Sequence, residues 1–275
     1  MSAIAVPQTD QSRPTQQVRP RRTGVPARIP TSRVIGVELR KMFDTRSGFW
    51  LMASIVIANL LATGAVILWA PDSELTYSTF AAAIGFPMAV ILPMIAILSV
   101  TGEWSQRSGL TTFTLVPHRG RVIWAKAVCA VGVGIVSMLV AFAVGAVGNL
   151  VGTAITGTDL VWDASFQDLV FIVLGNVLGM MVGFMLGVLI RNSAGAIVSY
   201  FVYSLVFPTI FGLLASAQGW FRDLQPWVDF NYAQGALFNG SMFGEQWANL
   251  GVAGAIWLVA PMVVGLALVM RSEVK

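Results

Sequence analysis

His118 is the single histidine of the chain, so a two-histidine zinc motif on one helix cannot be built. No Gly-x-Ser-x-Gly elbow presents a nucleophilic serine, and no Gly-x-x-x-x-Gly-Lys-Ser/Thr loop cradles a phosphate. Asp159, Asp163 and Asp168 are close enough in sequence to suggest an acid and a base for glycosyl transfer, but three acids in one short polar connection read first as solvated loop residues. No catalytic or metal-binding residue is assigned. If ATP drives this protein, another chain must bind the nucleotide and its Mg²⁺, and this chain holds no cofactor of its own.

The segment richest in chemistry is polar and runs Glu103-Trp104-Ser105-Gln106-Arg107-Ser108-Gly109-Leu110-Thr111-Thr112-Phe113-Thr114-Leu115-Val116-Pro117-His118-Arg119, with Lys126 following. Ser108 is placed to cap a short helix that carries Leu110 and Phe113 on one side and ends at Pro117. Apolar residues on a short helix in water call for a docking partner. Glu103 and Arg107 are four apart, so they share a face if the preceding helix continues through them.

The elements around this segment are membrane helices. Of 275 residues 56% are hydrophobic and 11% charged, against about 25% charged in soluble domains. Uncharged runs repeatedly exceed the roughly 20 residues a helix needs to cross a bilayer. They are apolar on every face, which excludes the alternating pattern of a transmembrane barrel. The reading is an all-α integral membrane protein with six spans, at about 48–70, 77–100, 125–153, 169–190, 194–217 and 247–270, together forming a 48–275 transmembrane domain. Before them lie a disordered, basic, proline-rich tail over 1–30 and an amphipathic interfacial helix over 31–47, with Ile35, Leu39, Met42 and Phe43 at helical spacing and Glu38 and Lys41 among its polar residues. Cys129 has no partner cysteine in the chain.

Orientation follows from the basic residues near the span ends. Arg28, Arg33, Arg40, Lys41, Arg46, Arg107, Arg119, Arg121, Lys126, Arg191, Arg271 and Lys275 fall on one side, and Arg222 alone on the other. Positive charge stays inside, so both termini are expected in the cytoplasm, and the formal charge of +4 is a matter of topology and not of nucleic-acid binding. No Asp, Glu, Lys, Arg or His falls in the interior of a predicted span, which argues against proton coupling, a charged-ring channel and a voltage sensor. Asn59, Asn149 and Asn176 are the conspicuous membrane amides and are expected to bond between helices. Gly175, Gly179, Gly183 and Gly187 form a four-residue repeat that predicts close helix packing along one stripe. The aromatic stretch over 219–245 suits the outer headgroup region, either as a plain belt or dipping into the membrane.

In the order Glu103, Gly109, Phe113, Leu115, Pro117, Arg119, Lys126, the polar segment resembles the ABC-2-type permease family, with Leu110 standing where that family often carries threonine. The 31–47 helix, with Glu38 and Lys41, is similar to the family's connecting helix, and the resemblance covers about residues 31–275. It implies the permease subunit of an exporter in a bacterial plasma membrane, paired with a second permease subunit, identical or related, and with an ATP-binding-cassette subunit. The docking surface would comprise Glu103, Arg107, Gly109, Leu110, Phe113, Leu115, Pro117 and Arg119 with Glu38 and Lys41, and the 219–245 segment would hold short re-entrant helices of an outer gate. The competing reading from the residues alone is a stand-alone six-helix facilitator or scaffold without ATP coupling. A neutral apolar interior favours hydrophobic or amphipathic cargo.

Overall fold

The computed structural model describes residues 29–105, 119–240 and 242–271. Among them the chain is helical with no strand, and six helices are long and apolar enough to cross a membrane. Helix α1 (Thr31–Asp44) begins directly after Pro30 and ends where Thr45 turns extended. Thr45 then accepts the Gly48 amide at 3.1 Å and so caps α2 (Arg46–Trp69). A Cβ at Gly48 would collide with the Met42 carbonyl, so this corner requires glycine. The hydrophobic residues of α1 divide between two faces. Val34, Glu38 and Met42 turn inward at four-residue spacing, while Leu39 and Phe43 are exposed.

The remaining spans are α3 (Tyr77–Ser105), α4 (Arg119–Thr156), α5 (Phe166–Ile190), α6 (Ser193–Ala217) and α9 (Gly244–Arg271). Between α6 and α9 lie the short α7 (Gly219–Val228) and α8 (Phe230–Gly235). Helices α3 and α4 run past their hydropathy limits, so Glu103 stands in the last turn of α3 and Lys126 in the second turn of α4. Helix α5 starts earlier than its apolar run, at a capping box in which Ser165 and Asp168 satisfy each other's backbone amides.

The glycines of α5 meet three different elements. Gly175 lies against the Phe238 ring and Gly179 near the Gln234 amide, whereas Gly183 and Gly187 lie against the backbones of Pro93 and Ile97 on α3. Pro93 cannot donate to the Ala89 carbonyl one turn earlier. The Tyr200 hydroxyl of α6 does so instead, at 2.9 Å. Removing only that hydroxyl, as Tyr200→Phe, deprives the Ala89 carbonyl of this donor within an apolar span and should cost about 1 kcal/mol. A lowered unfolding midpoint in detergent is expected, with exposed Tyr232→Phe as control; equal midpoints would show that the carbonyl finds another donor.

The membrane asparagines behave differently from expectation. Asn176 donates to Ile172 of its own helix and Asn149 to Val161 in the following loop, and neither side-chain polar atom of Asn59 has a hydrogen bond among the described residues. Carbonyls one turn away or in a folded-back loop are within reach of a short amide, so these side chains stay local.

Helices α6 and α9 each contain one π-helical turn, Val202–Val206 and Ala255–Val259. Trp257 of the second stacks near Tyr203 and Phe207, with ring centroids 5.8 and 5.4 Å away, and donates to Val228 at 2.7 Å. The stretch between α6 and α9 therefore folds onto the bundle. Phe230 and Leu237 are fully buried and Gln234 donates to the Gly175 carbonyl at 2.7 Å, while Trp220, Tyr232 and Phe243 stay exposed.

Candidate functional site, a buried charge network

Helix α1 lies against α4 and α2 with Glu38 at the centre of its buried face. Glu38, Glu103 and Lys126 are 3%, 5% and 6% exposed, a degree of burial that ionised groups reach only when paired. Lys126 Nζ contacts Glu38 Oε2 in a short ion pair, Glu103 Oε1 at 3.1 Å and the Ser99 carbonyl at 3.0 Å. Lys41, one turn beyond Glu38, reaches Glu38 Oε1 at 2.9 Å and Glu103 Oε1 at 3.0 Å. Two carboxylates and two ammoniums thus close a neutral ring across α1, α3 and α4. Burial alone would lower the Lys41 pKa, but the hydrogen bonds and charges of Glu38 and Glu103 outweigh it and raise it above the ordinary lysine value.

Such a ring adds little net stability, because desolvating four charges offsets most of their attraction. Its effect is geometric. Glu103 sits at the C-terminal end of α3, where the helix dipole disfavours an acid, and the two lysines offset that. Two arginines extend the fastening. Arg121 donates to the Ile29 carbonyl at 2.8 Å and to Thr31 Oγ1 at 3.0 Å, and Arg119 donates to the Val269 carbonyl near the end of α9 at 3.0 Å. The first turns of α4 are therefore joined to the beginning of α1, the end of α3 and the end of α9.

Of the candidate docking residues, the structure brings Glu38, Lys41 and Glu103 into one network and places Arg119 beside α9. Both carboxylates face lysines of their own chain, and Lys41 is the member that reaches the surface, its side chain 41% exposed. Arg107, Gly109, Leu110, Phe113, Leu115 and Pro117 lie outside the described residues. Sequence reasoning left Lys126 and Arg121 out of the site. The available signal was a lysine just inside a run otherwise free of charge from Val122 to Thr158; such a charge needs a partner, and the candidates were Glu38 and Glu103.

The acids of the far side are engaged structurally. Asp163 accepts the Ser78 amide at 2.8 Å and its hydroxyl at 2.5 Å, clasping the 157–165 loop to the start of α3. Slight burial would raise its pKa, but these hydrogen bonds outweigh that and lower it. Asp168 belongs to the α5 capping box. Both are held in structural hydrogen bonds, and in the network each described carboxylate faces an ammonium. What it can do is transmit displacement between helices. A family model described as ABC-2 family transporter protein matches residues 5–274. No curated relative matches the chain.

Proposed function

Because the chain belongs to the ABC-2 family of transporter proteins and is a multi-pass membrane component of an ATP-binding-cassette system, we propose that it is the permease subunit of an exporter in which the 103–119 segment and α1 receive the motion of a separate ATP-binding subunit. The observation that carries this reading is the ring of Glu38, Lys41, Glu103 and Lys126. It ties α1 to the two helices that flank the 106–118 segment, so a push on that segment moves all three together. The charge imbalance supports cytoplasmic termini, the side on which ATP is available. Two permease chains would line a central path and rock against each other as their ATP-binding partners close. Hydrophobic or amphipathic cargo suits spans whose exposed faces are apolar.

The test is co-purification and coupling. Tagged chain extracted from its native membrane in mild detergent should bring ATPase activity with it. Phe113→Ala removes an aromatic anchor worth about 2 kcal/mol, so partner affinity should fall roughly thirtyfold. Glu38→Gln should retain the partner yet lose substrate-stimulated hydrolysis in proteoliposomes. A chain that purifies without ATPase activity, or a Phe113→Ala variant with undiminished affinity, would favour a stand-alone facilitator.

A further inference from the structure

Beside the charge network is a pocket of about 210 Å³ bounded by α1, α2, α3 and α4. Its polarity is graded. Glu38, Lys41, Glu103 and Lys126 line it together with Leu51, Met52, Ile95 and Leu98, and along α3 the lining passes from Glu103 through Ser99 to Leu98 and Ile95. From Glu103 to Ile95 is eight residues of helix, about 12 Å. Phe49 and Trp50, adjoining Gly48 in the pocket wall, are 60% and 65% exposed, as aromatic residues are at the headgroup level of a bilayer. The charged end is thus at headgroup depth and the apolar end in hydrocarbon.

The hydrogen-bond count identifies what the polar end lacks. An ammonium has three N–H donors. Those of Lys126 are matched by Glu38, Glu103 and the Ser99 carbonyl. Lys41 has two described acceptors, Glu38 and Glu103, so one N–H is left for another acceptor. The volume is below the roughly 300–1,000 Å³ of pockets that enclose a whole drug-sized ligand. It suits one end of a molecule whose remainder stays outside, and at this depth the surroundings are lipid.

We infer that this pocket binds a phospholipid of the leaflet on the positively charged side, with a phosphodiester oxygen accepting the third N–H of Lys41 and the upper part of one acyl chain against Leu98 and Met52. Occupancy would fix the corner between α1 and α2 and so set how firmly α1 is held. The binding requires neither the ATP-binding partner nor transport, and its failure would leave the proposed function untouched.

The experiment is native mass spectrometry of the full-length chain, using phosphatidylglycerol, diacylglycerol and inorganic phosphate as probes. Phosphatidylglycerol should remain bound, diacylglycerol should not, and inorganic phosphate should not displace the lipid. Lys41→Gln removes the charge-assisted hydrogen bond, and Leu98→Trp fills the apolar end without altering the ring. Each should lower the bound fraction about tenfold at limiting lipid, while Val37→Trp on an exposed part of α1 should not. If Lys41→Gln does not fold, Leu98→Trp decides. Wild-type retention in Leu98→Trp, equal retention of diacylglycerol, or displacement by inorganic phosphate would each overturn the proposal.

Discussion

Lys126→Met is expected to destabilise the folded chain by about 3–5 kcal/mol, the usual cost of removing one partner from a buried ionic group. Methionine fills similar space but leaves Glu38 and Glu103, both nearly inaccessible, with Lys41 as the one remaining lysine of the ring. Lys41→Met should cost less, since the Lys41 side chain is 41% exposed and water can partly solvate the vacated space. Pairing Lys126→Met with Glu38→Gln restores neutrality and should recover part of the loss, a coupling that a double-mutant cycle would read directly. Thermal unfolding in detergent and the yield of monodisperse protein are the measurements. A Lys126→Met variant as stable as wild type, with no coupling to Glu38, would mean that the network does not hold α1.

Gly183→Leu should be at least as damaging, for a steric reason. A Cβ at position 183 would stand 2.8 Å from the Pro93 carbonyl oxygen, 2.9 Å from its Cβ and 3.0 Å from its Cα. These are backbone and ring atoms of a helix already shaped by proline, and they cannot swing aside as a long side chain would. Overpacking of this kind costs about 1–3 kcal/mol for modest additions, so Gly183→Ala should fall in that range and Gly183→Leu should fail to give folded protein. Gly179 offers the contrast, because its nearest neighbour is the Gln234 side-chain amide at 3.4 Å. Gly179→Ala should therefore be nearly silent. Size-exclusion profiles of the three variants separate the cases, and normal Gly183→Leu protein would place that stripe away from α3.

The architecture was legible in the sequence because a membrane span announces itself by length and polarity alone. The six apolar runs correspond to α2, α3, α4, α5, α6 and α9. What hydropathy could not define was where the helices stop. Hydropathy ends the second span near residue 100, yet the helix runs on through Glu103 to Ser105, since backbone hydrogen bonding does not depend on hydropathy. That difference turned an apparent surface carboxylate into a buried one. The pairing of Glu103 with lysines from α1 and α4 is a tertiary fact with no local pattern. For α1, helical spacing identified an amphipathic helix but not its two separate apolar faces, because periodicity cannot distinguish a residue facing protein from one facing lipid. Tyr200 was equally invisible: its role exists only because Pro93 leaves a carbonyl unpaired on a helix more than 100 residues earlier.

The π turns at Val202–Val206 and Ala255–Val259 bear on how the last two spans can be compared with other sequences. A π turn holds one residue more than the α-helix around it needs. One position of helical count is about 100° of azimuth at 3.6 residues per turn, so the half of each span beyond the turn is out of phase with the half before it. Each span is in effect two short rods spliced with a twist, and a stripe of residues followed along the first rod does not continue on the second. Deleting a single residue at either splice would leave composition and length almost unchanged, yet it would rotate the Pro208 end of α6 or the Arg271 end of α9 into a different neighbour. An insertion or deletion of one residue here is thus a change of partner face.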